Sequence, residues 1–277
     1  MMERETINLL NFRANFLQFE GVKPTPCYGE DGVFRKIFEV IGTNHRPKVI
    51  EFGEHRVLGT TSRYLRIEKF AKSLYFSGDY GFNSFYLNLL DIFKIARKRS
   101  LRYLIFLFNL PSKKMATAEN VAKLIKKFGK KSEIDLLVVD IDSFDYEIVR
   151  SILSNKIYPK VLVVEYNPSL KHYLLYLSKQ NASKVRKSRQ YGASYLAQLT
   201  LIEPYGYKLV HITGFCNLIF VRKEFSDFFE SANLNELTLD SDSIIKYCEK
   251  WCLSGFRPSW LSSTELAEED LIVFNQI

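Results

Sequence analysis

Two adjoining runs decide the fold: Tyr207-Lys208-Leu209-Val210-His211-Ile212-Thr213 and, after Gly214-Phe215-Cys216, Asn217-Leu218-Ile219-Phe220-Val221-Arg222. Both are β-rich and apolar, and the three residues between them leave no room for a crossover. The two strands must therefore be antiparallel neighbours. Upstream the pattern differs. Short apolar runs at 48–52, 73–77, 102–108, 135–141 and 160–166 alternate with helical patterns at 60–72, 83–99, 116–130 and 144–155. Such alternation marks βαβ units and a mainly parallel sheet, and runs apolar on both sides belong to strands covered by helices on each face. The expected fold is α/β: a seven-stranded, mostly parallel sheet ending in an antiparallel hairpin, with helices on both faces. Residues 192–205 read as a helix leading into the hairpin, and 1–17 and 32–41 as two amphipathic helices ahead of the sheet. The chain divides into an N-terminal helical cap (1–45), the α/β domain (46–223) and an acidic C-terminal extension (224–277).

The bulk properties set limits on function. The 277 residues are 47% hydrophobic and 25% charged, ordinary for a soluble globular protein. No apolar run approaches the ~18 residues of a membrane span. The acid-bearing start MMERETINLLNFRANF lacks the pattern of a secretory signal. Cys27, Cys216, Cys248 and Cys252 are too sparse for a disulfide framework, so a cytoplasmic, reducing location is expected. The net charge of +8 is uneven. From Glu224 onward eleven acids oppose three bases, a balance of −8 that leaves +16 on residues 1–223. A body this basic favours anionic partners or substrates through its field. Cations concentrate in two places. Lys94, Arg97, Lys98, Arg99 and Arg102 lie at a helix end, where the macrodipole favours them. Lys171, His172, Lys179, Lys184, Arg186, Lys187 and Arg189 accompany Tyr173, Tyr176 and Tyr191, which suits a phosphorylated or nucleotide-linked substrate or single-stranded nucleic acid.

Chemistry is expected beyond the carboxyl ends of the parallel strands. The first strand ends in Val49-Ile50-Glu51-Phe52-Gly53, and a glycine directly after a strand lets the backbone turn sharply beside a ligand. The loop then enters a helix through Gly59-Thr60-Thr61-Ser62, small residues able to cap it. The fourth strand ends in Asp140-Ile141-Asp142-Ser143-Phe144-Asp145, and the fifth in Val164-Glu165-Tyr166-Asn167. Asp140 and Asp142 share a side if the strand continues through them, while Asp145 is placed to cap the next helix. Asp140, Asp142, Glu165 and Asn167 form a set that could hold a divalent cation through oxygen ligands, orient a substrate hydroxyl, act as a base, or form a hydrogen-bond network. His211 alternates within its strand and is carried as a candidate base beside its reading as a buried structural histidine.

In order along the chain, Asp31-Gly32-Val33-Phe34 with Ile37-Phe38, Ile50-Glu51-Phe52-Gly53, Asp140-Ile141-Asp142-Ser143-Phe144-Asp145-Tyr146, Val164-Glu165-Tyr166-Asn167, Tyr191-Gly192-Ala193-Ser194 and Asn217-Leu218-Ile219-Phe220-Val221-Arg222 resemble the FkbM-like S-adenosylmethionine-dependent methyltransferases. The resemblance runs over residues 28–222, toward the branch with a Glu-Phe-Gly-Ala-Trp-Asp-Gly motif. It implies a Rossmann-like class I methyltransferase fold. It further implies S-adenosylmethionine held by Glu51, Gly53, Gly59, Thr60, Asp79 and Asp140, with O-methylation of a sugar-containing or anionic small molecule near the fourth and fifth strands. The chain departs from the pattern in three places. Glu54-His55-Arg56-Val57 stands where the family has Ala-Trp-Asp-Gly, Ser143 replaces a glycine, and Asp79 lies two residues beyond Ser77, where the ribose-binding acid is expected. These departures keep a second expectation open: a catalytically inactive protein of this fold that binds nucleic acid or a protein partner.

Overall fold

Val49, Ile50 and Phe52 make residues Lys48–Phe52 a buried strand, β1, and the sheet is laid out on both sides of it. The computed structural model describes residues 6–13, 29–43, 46–53, 61–78, 81–98, 100–104, 110, 112–126, 134–141, 144–167, 192–213 and 216–232. β1 pairs in parallel with β2 (Lys72–Ser77) on one side and β4 (Leu136–Val139) on the other. β3 (Ser112–Lys113) lies parallel beyond β2, and β5 (Val161–Glu165) parallel beyond β4. β7 (Asn217–Arg222) runs antiparallel to β5, and β6 (Tyr207–Thr213) antiparallel to β7 at the far edge. The seven-stranded order is β3-β2-β1-β4-β5-β7-β6. The hairpin has the bounds read from the sequence, and its second strand sits inside the first. β7 carries Leu218, Ile219, Phe220 and Val221 on both faces and suits an interior place. β6 carries Lys208, whose ammonium reaches the carbonyls of Phe229 at 2.6 Å and Ser226 at 3.3 Å.

Strand alternation sorts the core into two layers. On one face, Ile50, Phe52, Leu137, Val139, Leu162, Val164, Leu218 and Phe220 pack under α4 (Val121–Lys126), α5 (Asp145–Ser154) and α6 (Tyr195–Ile202). On the other, Val49, Leu136, Val138, Val161, Val163, Ile219 and Val221 pack under α1 (Glu30–Ile41) and α2 (Arg63–Glu68). α1 contributes Val33, Phe34, Ile37 and Phe38, the i, i+3, i+4 spacing of an amphipathic helix, so this part of the N-terminal region belongs to the core. Each such side chain contributes about 1.5–3 kcal/mol by leaving water. α3 (Phe82–Lys98) joins through a smaller cluster in which Ile92, Ile95 and Ala96 meet Ile67 of α2 and Tyr103. A short α7 (Lys223–Ser226) follows β7. Beyond it, the Glu230 amide donates to the Ile7 carbonyl at 3.0 Å, tying the two ends of the described body together.

At the amino ends of the strands a buried ion pair acts as a fastener. Lys160 meets Asp135 at 3.0 Å, and the other Asp135 oxygen accepts the Lys48 amide at 2.9 Å. The helix expected over 116–130 starts only at Val121, with 127–130 outside the described residues, and three further elements of the expected pattern differ. The run expected at 102–108 opens inside a 3-10 turn at 101–104, not a strand, and 105–109 lie outside the described residues. Tyr103 packs into the α2–α3 cluster, while Arg102 stacks over Phe70 at 4.7 Å. An apolar run cannot by itself distinguish a buried turn from a strand. The strand position beside β2 goes to the two-residue β3. Of the helix expected over 1–17, Leu9–Phe12 is a 3-10 turn and Ile7 bridges to Phe229, while 1–5 and 14–17 lie outside the described residues. Asn8 caps that turn by accepting the Leu10 amide at 2.9 Å. The helix expected over 60–72 is confined to Arg63–Glu68, since Lys72 already begins β2. No helix among the described residues is long and apolar enough to cross a membrane.

Candidate functional site

The strand order reverses between β1 and β4, because the chain leaves β1 toward β2 on one side and returns to place β4 on the other. Ligands of open α/β sheets bind outside the carboxyl ends at such a point. Gly53 and Asp140 occupy it. The Gly53 amide donates to the Phe76 carbonyl at 2.9 Å, and the Asp140 amide to the Phe52 carbonyl at 3.0 Å. Gly53 has φ 114°, and a Cβ there would fall 1.4 Å from the Asp140 carbonyl oxygen. The two strand ends thus meet backbone to backbone, which only glycine allows. Asp140 is half-buried at this edge. Asp145, the first residue of α5, is buried and accepts the Ile141 amide at 2.9 Å, tying the start of α5 to the residue after Asp140.

Glu51 points to the α1–α2 face, and hydrogen bonds occupy both its oxygens. It accepts the Thr61 amide at 2.8 Å, the Ser62 amide at 3.3 Å and the Ser62 hydroxyl at 2.5 Å. Ser62 Oγ also lies 3.1 Å from the Tyr75 hydroxyl, and the buried Arg66 guanidinium sits 4.1 Å over the Tyr75 ring. Burial pushes the Tyr75 hydroxyl above its ordinary value, with Arg66 opposing the rise and Glu51 adding to it. Glu51 therefore holds Thr61 and the N-cap Ser62, the two residues that lead into α2. It is 1% exposed.

A second polar group spans the carboxyl end of β5. The register sets Glu165 opposite Asn217, and Asn217 opposite Thr213, so their side chains share the α1 face. Thr213 Oγ1 donates to Glu30 at 3.3 Å, adding the first residue of α1 to the row. All four residues are buried. Asn217 Oδ1 is buried with no hydrogen-bond partner among the described residues. Next to Glu30, Asp31 takes Arg63 in a forked pair: Nε lies 3.0 Å from both carboxylate oxygens and Nη2 2.7 Å from Oδ2. That pair clamps α1 to α2 above the sheet. Asn167, also buried, donates its amide to the Ala193 carbonyl at 2.8 Å, and the Glu165 carbonyl accepts Gln198 Nε2 at 3.0 Å.

The structure thus places Asp140, Glu165 and Asn167 at neighbouring carboxyl ends, as the sequence suggested. Glu51 reaches the start of α2. His211 lies elsewhere: it pairs with Ile219, which pairs with Val163, and so sits within the sheet rather than at its carboxyl edge. Its Nε2 accepts Arg13 Nε at 3.3 Å. Burial first, and then the Arg13 charge, push its pKa well below the ordinary 6.5. Below that pH the unfolded chain binds a proton that the folded chain refuses, so stability falls with acidification by up to about 1.4 kcal/mol per pH unit. The urea midpoint of the protein is expected to drop between about pH 7 and about pH 5 more steeply than that of His211→Gln. Parallel pH profiles would assign the loss to another group.

Gly59, Thr60, Asp79 and Asp142 lie outside the described residues, as do the basic segment at 168–191 and the extension from 233. Among the described residues no group of three or more His, Cys, Asp or Glu converges to hold a metal ion. Glu30, Asp31, Arg63, Thr213 and Asn217 were not singled out individually as site residues by sequence reasoning. The available signal was charge in the first turn of an apolar-faced helix, Glu30-Asp31, and polar residues ending strands that are otherwise apolar. No protein-family model matches the chain, and no curated protein matches it.

Proposed function

We propose that this chain is a class I methyltransferase that uses S-adenosylmethionine to methylate an oxygen of a small sugar-containing or anionic acceptor. The observation that carries the reading is the carboxyl end of β1. A glycine with no room for a Cβ lies at the strand-order reversal, beside a carboxylate that closes the start of the following helix. A pyrophosphate cofactor needs that helix start open and positive. Glu51 fills it with negative charge, which disfavours a phosphate and suits a cationic nucleoside cofactor that carries none. A parallel sheet that ends in an antiparallel hairpin supports the same reading, as fold-level analogy.

The described residues fit such a cofactor. Asp140, half-exposed beside Gly53, would accept from its amino or hydroxyl groups. The buried Asn217 Oδ1 offers an acceptor for a donor of the methyl acceptor. When bound, S-adenosylmethionine supplies a sulfonium-activated methyl group. The chain's task is then to orient an acceptor hydroxyl and take its proton. Glu165, in the row with Asn217 and Thr213, would take that role, with Asn167 two residues further along the chain.

Calorimetric titration with S-adenosylmethionine tests the proposal. Binding is expected, and Asp140→Ala should weaken it about ten- to a hundredfold, the effect of losing a charged hydrogen-bond partner. No heat and no thermal stabilisation at millimolar cofactor would overturn the reading and leave a fold used for binding alone.

A further inference from the structure

The outward face of α3 is built the wrong way round for water. Its core side holds Asn88 and Asp91 together with Ile92, Ile95 and Ala96. Its outer side carries Phe82, Phe85, Tyr86, Leu87, Leu90 and Phe93. Phe82 is 81% exposed, Tyr86 54% and Phe93 53%. Positions 82, 86, 90 and 93 follow helical spacing and form one stripe that ends at the exposed Arg97. Surface helices normally turn polar residues outward, and an apolar patch of this kind marks an interaction surface.

The charge around the stripe selects the occupant. Lys94, Arg97, Lys98, Arg99 and Arg102 fall within nine residues at its C-terminal end. The first turn of α3 has no acid, and the helix's single carboxylate, Asp91, is buried. A second copy of this chain fits poorly. Antiparallel helices would set these cations against an acid-free, positive helix start, and parallel ones would set them against each other. The chain's own acidic extension offsets only half of the body's charge, −8 against +16, so cationic surface is left for an external anion. An aromatic and leucine stripe flanked by four to eight Lys and Arg combines the two signals that hold a protein at an anionic bilayer.

We propose that the outer face of α3 docks on an anionic lipid surface, with its aromatic side chains at the headgroup–acyl boundary and its exposed Lys94 and Arg97 on the lipid phosphates. The docking does not depend on cofactor binding. Flotation of the full chain with vesicles tests it, comparing phosphatidylcholine alone with an equal mixture of phosphatidylcholine and phosphatidylglycerol. Binding is expected to the anionic vesicles, to fall as salt is raised, and to be weak on the neutral ones. Phe82→Ser with Phe93→Ser should weaken partitioning at least about tenfold. Lys94→Gln with Arg97→Gln should weaken it about fivefold per charge. Phe82 and Phe93 are exposed, so unchanged thermal midpoints will show that these variants still fold. Absence of binding to anionic vesicles at low salt overturns the proposal, as does equal binding to both vesicle types. So does a wild-type dimer that the phenylalanine substitutions dissociate without any vesicle binding.

Discussion

Gly53→Ala is expected to destabilise the chain by on the order of 4–5 kcal/mol, an effect single substitutions reach only through severe mechanisms. Two constraints act together. At φ 114° the backbone is one that side-chain-bearing residues rarely adopt, and the new Cβ would lie 1.4 Å from the Asp140 oxygen and 2.5 Å from its carbonyl carbon. No rotamer relieves a clash between backbone atoms. The carboxyl ends of β1 and β4 must part, and with them the amide bonds from Gly53 to Phe76 and from Asp140 to Phe52. Urea unfolding reads the effect directly. The same substitution should abolish the proposed S-adenosylmethionine binding in any fraction that still folds, because the parted ends are those that present Asp140. An alanine variant with an unchanged midpoint would show that the two strands do not meet as described.

Separating Asp31 from Arg63 is the second large effect. Both side chains are buried, at 1% and 6% exposure, so removing one leaves a charge inside the protein without its forked partner. Asp31→Ala or Arg63→Ala should each cost about 3–5 kcal/mol. The double substitution should cost clearly less than the sum of the two, since neither charge is then stranded. Replacing the pair by leucine and methionine should come close to neutral, as apolar replacements of buried ion pairs often do. Additive single effects in a double-mutant cycle would mean that the two residues act separately. Because the pair joins α1 to α2 over the row from Glu30 to Glu165, its loss should also loosen that end of the sheet. Faster amide exchange at Thr213 and Asn217 would report it.

The strand ladder was the readable part. β1, β2, β4 and β5 fall within a residue or two of their apolar runs, and β6 and β7 coincide with theirs, because strands buried on both faces must be apolar throughout. β3 was missed because a two-residue strand has no periodicity. It is a strand only because Phe76 and Ser77 of β2 offer it partners. The 101–104 turn was misread for the matching reason: its apolar residues pack on α3, not in the sheet.

Local sequence could show carboxylates and a carboxamide at strand ends, and so it pointed to Asp140, Glu165 and Asn167. It could not show which groups elsewhere in the chain each of them meets. Glu51 looks like the others in sequence and Asp145 like a cap for α5, yet Glu51 takes the amides of Thr61 and Ser62, and Asp145, already inside the helix, takes that of Ile141. Nor could it join Thr213 to Glu30, 183 residues apart, or bring Arg63 to Asp31. From the sequence alone, then, came the α/β class, the parallel ladder and its antiparallel end, since these follow from hydrophobic period and link length. The tertiary structure alone decided that Gly53 lies against Asp140, that Glu51 seals the start of α2, and that a buried polar row crosses from α1 to β5. Those depend on strand register and helix docking, which bring together groups too far apart in the chain for any local pattern to encode.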